Sequence, residues 1–196
     1  MYKRQEAEIA KIYNAEPGDY KIIDRNRNNI IDDDDRDFVG QTTPQFFGSF
    51  SNTFKSHGFD LTIFLTYAGG HKIYNPFAYL DSYSPSANMS PDYYHNYWTP
   101  ERPSNKYPRL GSTNSQLYET DGMYQKGDYI RLKNLELGYT LPRNIANKVY
   151  ASNIRVYASV QNLVTFTKYT GFDVETSNAN PYPACRVFMG GLTVNF

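Results

Sequence analysis

The sequence predicts an all-β chain, five antiparallel strands of a transmembrane β-barrel with long loops on one side. Three observations carry this. Five segments alternate apolar and polar residues with a period of two. Each runs nine to thirteen residues, above the usual length of a globular strand and close to the roughly 9–11 that a tilted strand needs to cross a bilayer. Their connections alternate between short and long, as they do in barrels with short periplasmic turns and long extracellular loops.

In chain order, residues 1–44 contain no alternating run and are expected to be an extracellular loop segment, followed by strands and loops over 45–196. The stretch MYKRQEAEIAKIYNAEPGD has scattered charges and no apolar stretch of a signal peptide, so an exported body implies a fragment of a longer protein. The first strand, QFFGSFSNTF (45–54), puts Phe46, Phe50 and Phe54 on one side. The second, FDLTIFLTY (59–67), sets Phe59, Leu61, Ile63, Leu65 and Tyr67 against Asp60, Thr62 and Thr66. Between them Ser56 to Gly58 is predicted to be a tight hairpin turn, with Gly58 free to take positive φ.

The connection at 68–128 is crowded with Pro, Tyr, Asn and Ser, and a loop of about sixty residues is hard to fit into a compact soluble domain. The third strand, YIRLKNLELGYTL (129–141), carries Leu135, Leu137, Tyr139 and Leu141 opposite Asn134, Glu136 and Thr140. PRNIANKVYA (142–151) has room for one helical turn. The fourth strand, NIRVYASVQNL (153–163), carries Ile154, Val156, Ala158 and Val160 opposite Arg155, Tyr157, Ser159 and Gln161. After a second long connection at 164–185, RVFMGGLTVNF (186–196) puts Phe188, Gly190, Leu192, Val194 and Phe196 on one face. With the turn at 55–58 on the periplasmic side, Phe196 falls at the periplasmic rim. Five strands cannot close a barrel, so the rest is expected upstream.

Composition narrows the function classes. Twenty basic residues balance twenty acidic ones, so no net charge draws the chain to nucleic acid. The bias is aromatic, with 19 Tyr and 12 Phe against one Trp. A single cysteine, Cys185, excludes an internal disulfide and a CxxC pair. His57, His71 and His95 stand in no nucleophile or HExxH pattern, so no catalytic residue is predicted and the chain is read as a non-enzyme.

Four stretches in order, YWTPERPSNKYPRL (97–110), GDYIRLKNLELGYTLP (127–142), RVYASVQNLVTFTKYTGFDVE (155–175) and the closing RVFMGGLTVNF, resemble the C-terminal end of the SusC/RagA class of TonB-dependent receptors of Bacteroidota. The resemblance runs from about Pro17 to Phe196. It implies a large barrel in the cell outer membrane, with an N-terminal plug absent from this sequence, capped by a SusD-like surface lipoprotein. It also implies import of glycans or peptides driven by TonB, which would act through the missing N-terminal part. Phe196 is then expected to carry the signal read by the barrel assembly machinery.

Two loop regions are candidate sites. In DRNRNNIIDDDD (24–35) the spacing of oxygen ligands in an EF-hand loop falls on Asp24, Asn26, Asn28, the Ile30 carbonyl, Asp32 and Asp35. The loop departs from that pattern at Asn29, where glycine is usual, and at Asp35, shorter than the usual bidentate Glu. A bound calcium would be structural. A solvated acidic loop is the other reading.

The second region is aromatic: Tyr93, Tyr94, Tyr97, Trp98 and Tyr107, with Tyr74, Phe77, Tyr79 and Tyr83 before them and prolines at 76, 85, 91, 100, 103 and 108. Flat rings with a polar handle suit a sugar face or a partner's surface, and equally suit packing on one another. A competing architecture is a soluble, calcium-stabilised β-sandwich that binds carbohydrate through this loop. The outward apolar face separates the two, because a sandwich buries it and a barrel presents it to lipid.

Overall fold

The computed structural model describes residues 1–75, 89, 91–112, 120–176 and 182–196. The chain forms two units, Met1–Gly40 with Tyr74–Gln125, and Gln41–Ile73 with Lys126–Phe196. Part of the long connection groups with the N-terminal segment and not with the strands that flank it.

The second unit is built on one five-stranded antiparallel sheet. Its strands are β1 (Phe46–Ser56), β2 (Phe59–Gly69), β5 (Tyr129–Thr140), β6 (Asn153–Thr167) and β7 (Val187–Asn195), side by side in that order. Two short strands, β3 (Lys72–Tyr74) and β4 (Tyr124–Lys126), pair separately. All five expected strands are present, and β6 runs four residues past its expected end. The β1–β2 turn is tighter than expected: His57 (φ 50) and Gly58 (φ 86) both take positive φ between Ser56 and Phe59, the geometry that matches strand twist. Between β5 and β6 the chain makes a helical turn, Arg143–Ala146, and a 3-10 turn, Asn147–Val149.

The sheet's register sorts the side chains by face. Directly opposed residues share a face, so the pairs Phe50–Leu65, Leu61–Leu137, Leu137–Ala158 and Val156–Leu192 make one continuous apolar surface. Asp60, Glu136, Arg155, Tyr157 and Ser159 lie on the other face. Two irregularities keep the sorting intact. Leu132 and Asn134 stand opposite Leu65 and Phe64, which leaves Lys133 as an extra residue on β5. Asn162 (φ 52) sits in the matching bulge on β6. The bulge at Lys133 inverts the parity of β5, so Ile130 and Leu132 join Leu135 and Leu137 on the apolar face, while Arg131 and Asn134 share the polar one.

Burial is inverted relative to a soluble sheet. Phe50 is 53 % exposed, Leu137 51 %, Val156 47 % and Leu192 63 %, whereas Arg131 is 4 % and Ser159 3 % exposed. The sandwich architecture is contradicted here, because it requires a second sheet over the apolar face and none covers these side chains among the described residues. No helix among the described residues is long and apolar enough to cross a membrane, which says nothing of strands.

The first unit has an interior of its own. Tyr2, Ala10 and Ala15 are buried together with Tyr13 against them, on the short helix Ala7–Ile12 and its flanks. Residues 16–19 are tied to 107–112 through the Gly18 carbonyl, which accepts from the Arg109 amide at 2.9 Å, and through Asp19, whose carboxylate accepts from Arg109 Nε at 2.8 Å.

Candidate functional site

On the polar face of the sheet, charges are gathered into two networks. The first centres on Arg155, whose Nε donates to Asp60 Oδ1 at 3.0 Å and whose Nη2 donates to Glu136 Oε1 at 2.7 Å. These three residues come from three adjacent strands, β6, β2 and β5. The guanidinium stands over Tyr157 at 5.2 Å from the ring centre and close to Gly138, where a Cβ would come within 2.3 Å of Nη2. A side chain at 138 would push the Arg155 guanidinium out of this position. They line a polar cavity with Thr53, Thr62 and Thr140.

The second network joins β5 to the connection that follows β6. Arg131 Nη2 donates to Asp173 Oδ1 at 2.7 Å, its Nη1 to Glu175 Oε2 at 2.8 Å and its Nε to Thr165 Oγ1 at 2.8 Å. Asp173 also accepts from the backbone amides of Glu175 at 3.0 Å and Ala184 at 2.9 Å. Burial pushes the Asp173 carboxyl up, but those two amides and the guanidinium outweigh it and hold the group below its ordinary value. The sequence reading named neither Asp173 nor Arg131 as a site residue.

The acidic loop folds around its own amides. Asp24 Oδ1 accepts from the Asn28 amide at 3.2 Å and Oδ2 from Asn29 at 2.8 Å, while Tyr13 donates its hydroxyl to Asp24 Oδ2 at 3.1 Å. Asn26 and Asn28 cap the amides of Asn28 and Ile30 at 3.0 and 2.7 Å, and Asp32 caps Asp34 at 3.0 Å. Asp35 accepts from the amides of Arg25 at 2.7 Å and Asp32 at 3.1 Å, which keep its carboxyl below its ordinary value. Asn29 takes the left-handed conformation (φ 65) that glycine would otherwise supply. These hydrogen bonds close the loop on itself. No set of three or more His, Cys, Asp or Glu converges among the described residues, and each Asp35 oxygen accepts one backbone amide.

The aromatic loop is partly interior. Tyr93 is fully buried, stacks on Tyr97 at 5.9 Å between centroids and meets Tyr107 at 5.1 Å. Its hydroxyl donates to the Pro108 carbonyl at 3.2 Å. Trp98 is buried against Gly18 (φ 94), where a Cβ would lie 2.3 Å from the indole. Tyr107 donates to Asp92 Oδ2 at 2.7 Å, and Lys106 with Tyr107 holds the Asp92 carboxyl below its ordinary value. Tyr93 and Trp98, expected among the contact rings, are core residues instead, because the segment closes on them. Tyr94 faces outward. Phe77, Tyr79 and Tyr83, with the prolines at 76 and 85, lie outside the described residues. Phe196 follows the last residue of β7 and is exposed.

No family model matches the chain. Among characterised proteins it is similar to TonB-dependent receptor P3 of Formosa agariphila, with 33% identity over 93% of this chain and 19% of that one. It is also similar to TonB-dependent receptor SusC of Bacteroides thetaiotaomicron, with 27% identity over 93% of this chain and 18% of that one. Among solved structures, the RagAB peptide transporter superposes with a TM-score of 0.66 and 28% identity, covering 79% of this chain and 17% of that one. The chain thus spans about a fifth of the length of the curated relatives it matches.

Proposed function

From a chain that belongs to the SusC/RagA class of TonB-dependent receptors, we propose that its five strands form one arc of an outer-membrane importer's barrel. The apolar face then meets lipid, and the face bearing Arg155 and Arg131 lines the lumen. One observation carries the membrane reading. Phe46 and Phe54 on β1, Phe59 and Tyr67 on β2, and Phe188 and Phe196 at β7 bracket the apolar face in pairs eight residues apart.

Eight residues advance about 26 Å along a strand and about 20 Å along the membrane normal at a tilt near 40°. That is on the order of the hydrocarbon band flanked by aromatic girdles in such barrels. The girdles also run obliquely across the sheet: Phe54 stands opposite Leu61 and not Phe59, and Phe188 opposite Val160 and not Phe166. Strands tilted to the membrane need that stagger.

The substrate is proposed to be a glycan or a peptide, delivered with a SusD-like lipoprotein that caps the extracellular mouth. The experiment is extraction of the full-length receptor, tagged, from outer membranes in mild detergent. Co-elution of one surface lipoprotein at near-equal amounts is expected. Recovery of the receptor by itself under the same conditions would count against a stable capped complex.

For the acidic loop we propose that its own hydrogen bonds suffice to hold it. A chelator is therefore expected to leave protease resistance over residues 20–40 unchanged. Replacing Asp24 with Ala should speed cleavage there, since the amides of Asn28 and Asn29 and the Tyr13 hydroxyl lose their acceptor, at a cost of about 1 kcal/mol. Calcium-dependent protection of the wild-type loop would restore the metal reading.

A further inference from the structure

Three donors on one strand converge on one carboxylate. Tyr129, Arg131 and Lys133 follow each other at every second position of β5, and all three reach Glu175. The Tyr129 hydroxyl donates to Oε1 at 3.2 Å, and Arg131 Nη1 and Lys133 Nζ donate to Oε2 at 2.8 and 2.9 Å. The bulge at Lys133 makes this possible, because it keeps Lys133 on the polar side while Leu132 and Leu135 both stay on the apolar side. A carboxylate bonded to two cations and a phenol is a strong and geometrically defined arrangement.

The two acids held here are not equivalent. Asp173 is nearly sealed, with its oxygens taken by Arg131 and two backbone amides. Glu175 stands at the edge, its side chain 27 % exposed and Lys133 36 % exposed. Water, and any solute on the polar face, can reach the pair from that side. Exposed ion pairs of this kind exchange at little cost, whereas the Arg131–Asp173 pair does not.

We propose that the Tyr129–Arg131–Lys133 cradle is a carboxylate-binding site that Glu175 occupies as an internal stand-in, and that a carboxylate-bearing solute in the lumen displaces Glu175. Displacement removes one of the two side-chain ties on residues 173–176 while Asp173 keeps both Arg131 and the Glu175 amide, so the segment loosens without leaving the sheet. The inference rests on the lumenal assignment of the polar face. Its test reads the cradle directly and not uptake, so its failure would leave the transport reading standing.

The experiment is hydrogen exchange on the full-length receptor in detergent, with succinate as the probe and uncharged succinamide as its control at equal concentration and ionic strength. Succinate, and not succinamide, is expected to speed exchange of peptides covering 174–176. Glu175→Gln removes the competing charge and should lower the succinate concentration needed to protect the cradle's own strand, residues 129–133, by about tenfold, as expected for losing a hydrogen bond to charged groups. Lys133→Met should abolish the succinate effect. Equal responses to succinate and succinamide, or no response in either wild type or Glu175→Gln, would overturn the proposal and leave Glu175 as a structural tie.

Discussion

Replacing Arg131 with Met is expected to detach segments 169–176 and 182–186 from the sheet. Arg131 and Asp173 have side chains 5 % and 4 % exposed, so the guanidinium is a buried countercharge and not a surface ornament. Removing one partner of such a pair leaves the other as an uncompensated buried charge, at a cost of about 3–5 kcal/mol. Exchange of the Glu175 and Ala184 amides, both held by Asp173, should then accelerate by about two to three and a half orders of magnitude, at 1.4 kcal/mol per tenfold. Arg131→Lys keeps the charge but cannot reach Asp173, Glu175 and Thr165 at once, so an intermediate effect is expected.

The pH dependence has a definite sign. The Asp173 carboxyl is depressed in the folded chain, so its stabilisation is fully present above its ordinary value of 3.8 and is lost as pH falls through the lower folded value. Wild-type protection of these amides should therefore fade only in strong acid. In the Met variant, burial is left without the guanidinium that opposed it, and the same amides should be least protected near neutral pH.

The second large effect is expected on the other face. Leu137 sits near the middle of the apolar surface, between Leu61 and Ala158. An arginine placed at the lipid midplane costs about 2–4 kcal/mol. Leu137→Arg should therefore sharply lower the amount of folded receptor in the outer membrane. An arginine at Gln161, exposed on the polar face, should leave that amount near wild type.

Much of this was legible because the two-residue period and the strand lengths are written directly in residues such as Leu61, Ile63 and Leu65. The tight turn was legible from Gly58. What alternation could not resolve is where it breaks. The adjacent polar pair Lys133–Asn134 is the trace of the β5 bulge, and a strict period assigns Ile130 and Leu132 to the wrong face. Arg131 and Asp173 lie 42 positions apart, and nothing local announces their pairing. The aromatic loop misled for a related reason: composition marks Tyr93 and Trp98 as rings suited to contact, but only the fold says that Gly18 and Pro108 lie against them. The acidic run gave a ligand spacing, and the amide bonds that Asp24, Asn26, Asn28, Asp32 and Asp35 accept within the loop were not legible from it.

The central claim is that the apolar face meets lipid and not another protein layer, and Leu137→Trp tests it most directly. Against lipid tails a larger ring fits without strain, whereas in a packed interior overfilling of this kind costs about 1–3 kcal/mol. The measurement is fluorescence of the introduced indole in full-length receptor reconstituted with brominated-chain lipids, with every native tryptophan replaced, including Trp98. The account predicts near-normal assembly and strong quenching by bromine in the acyl chains. Lost assembly, or an emission from that indole indifferent to brominated lipid, would contradict it.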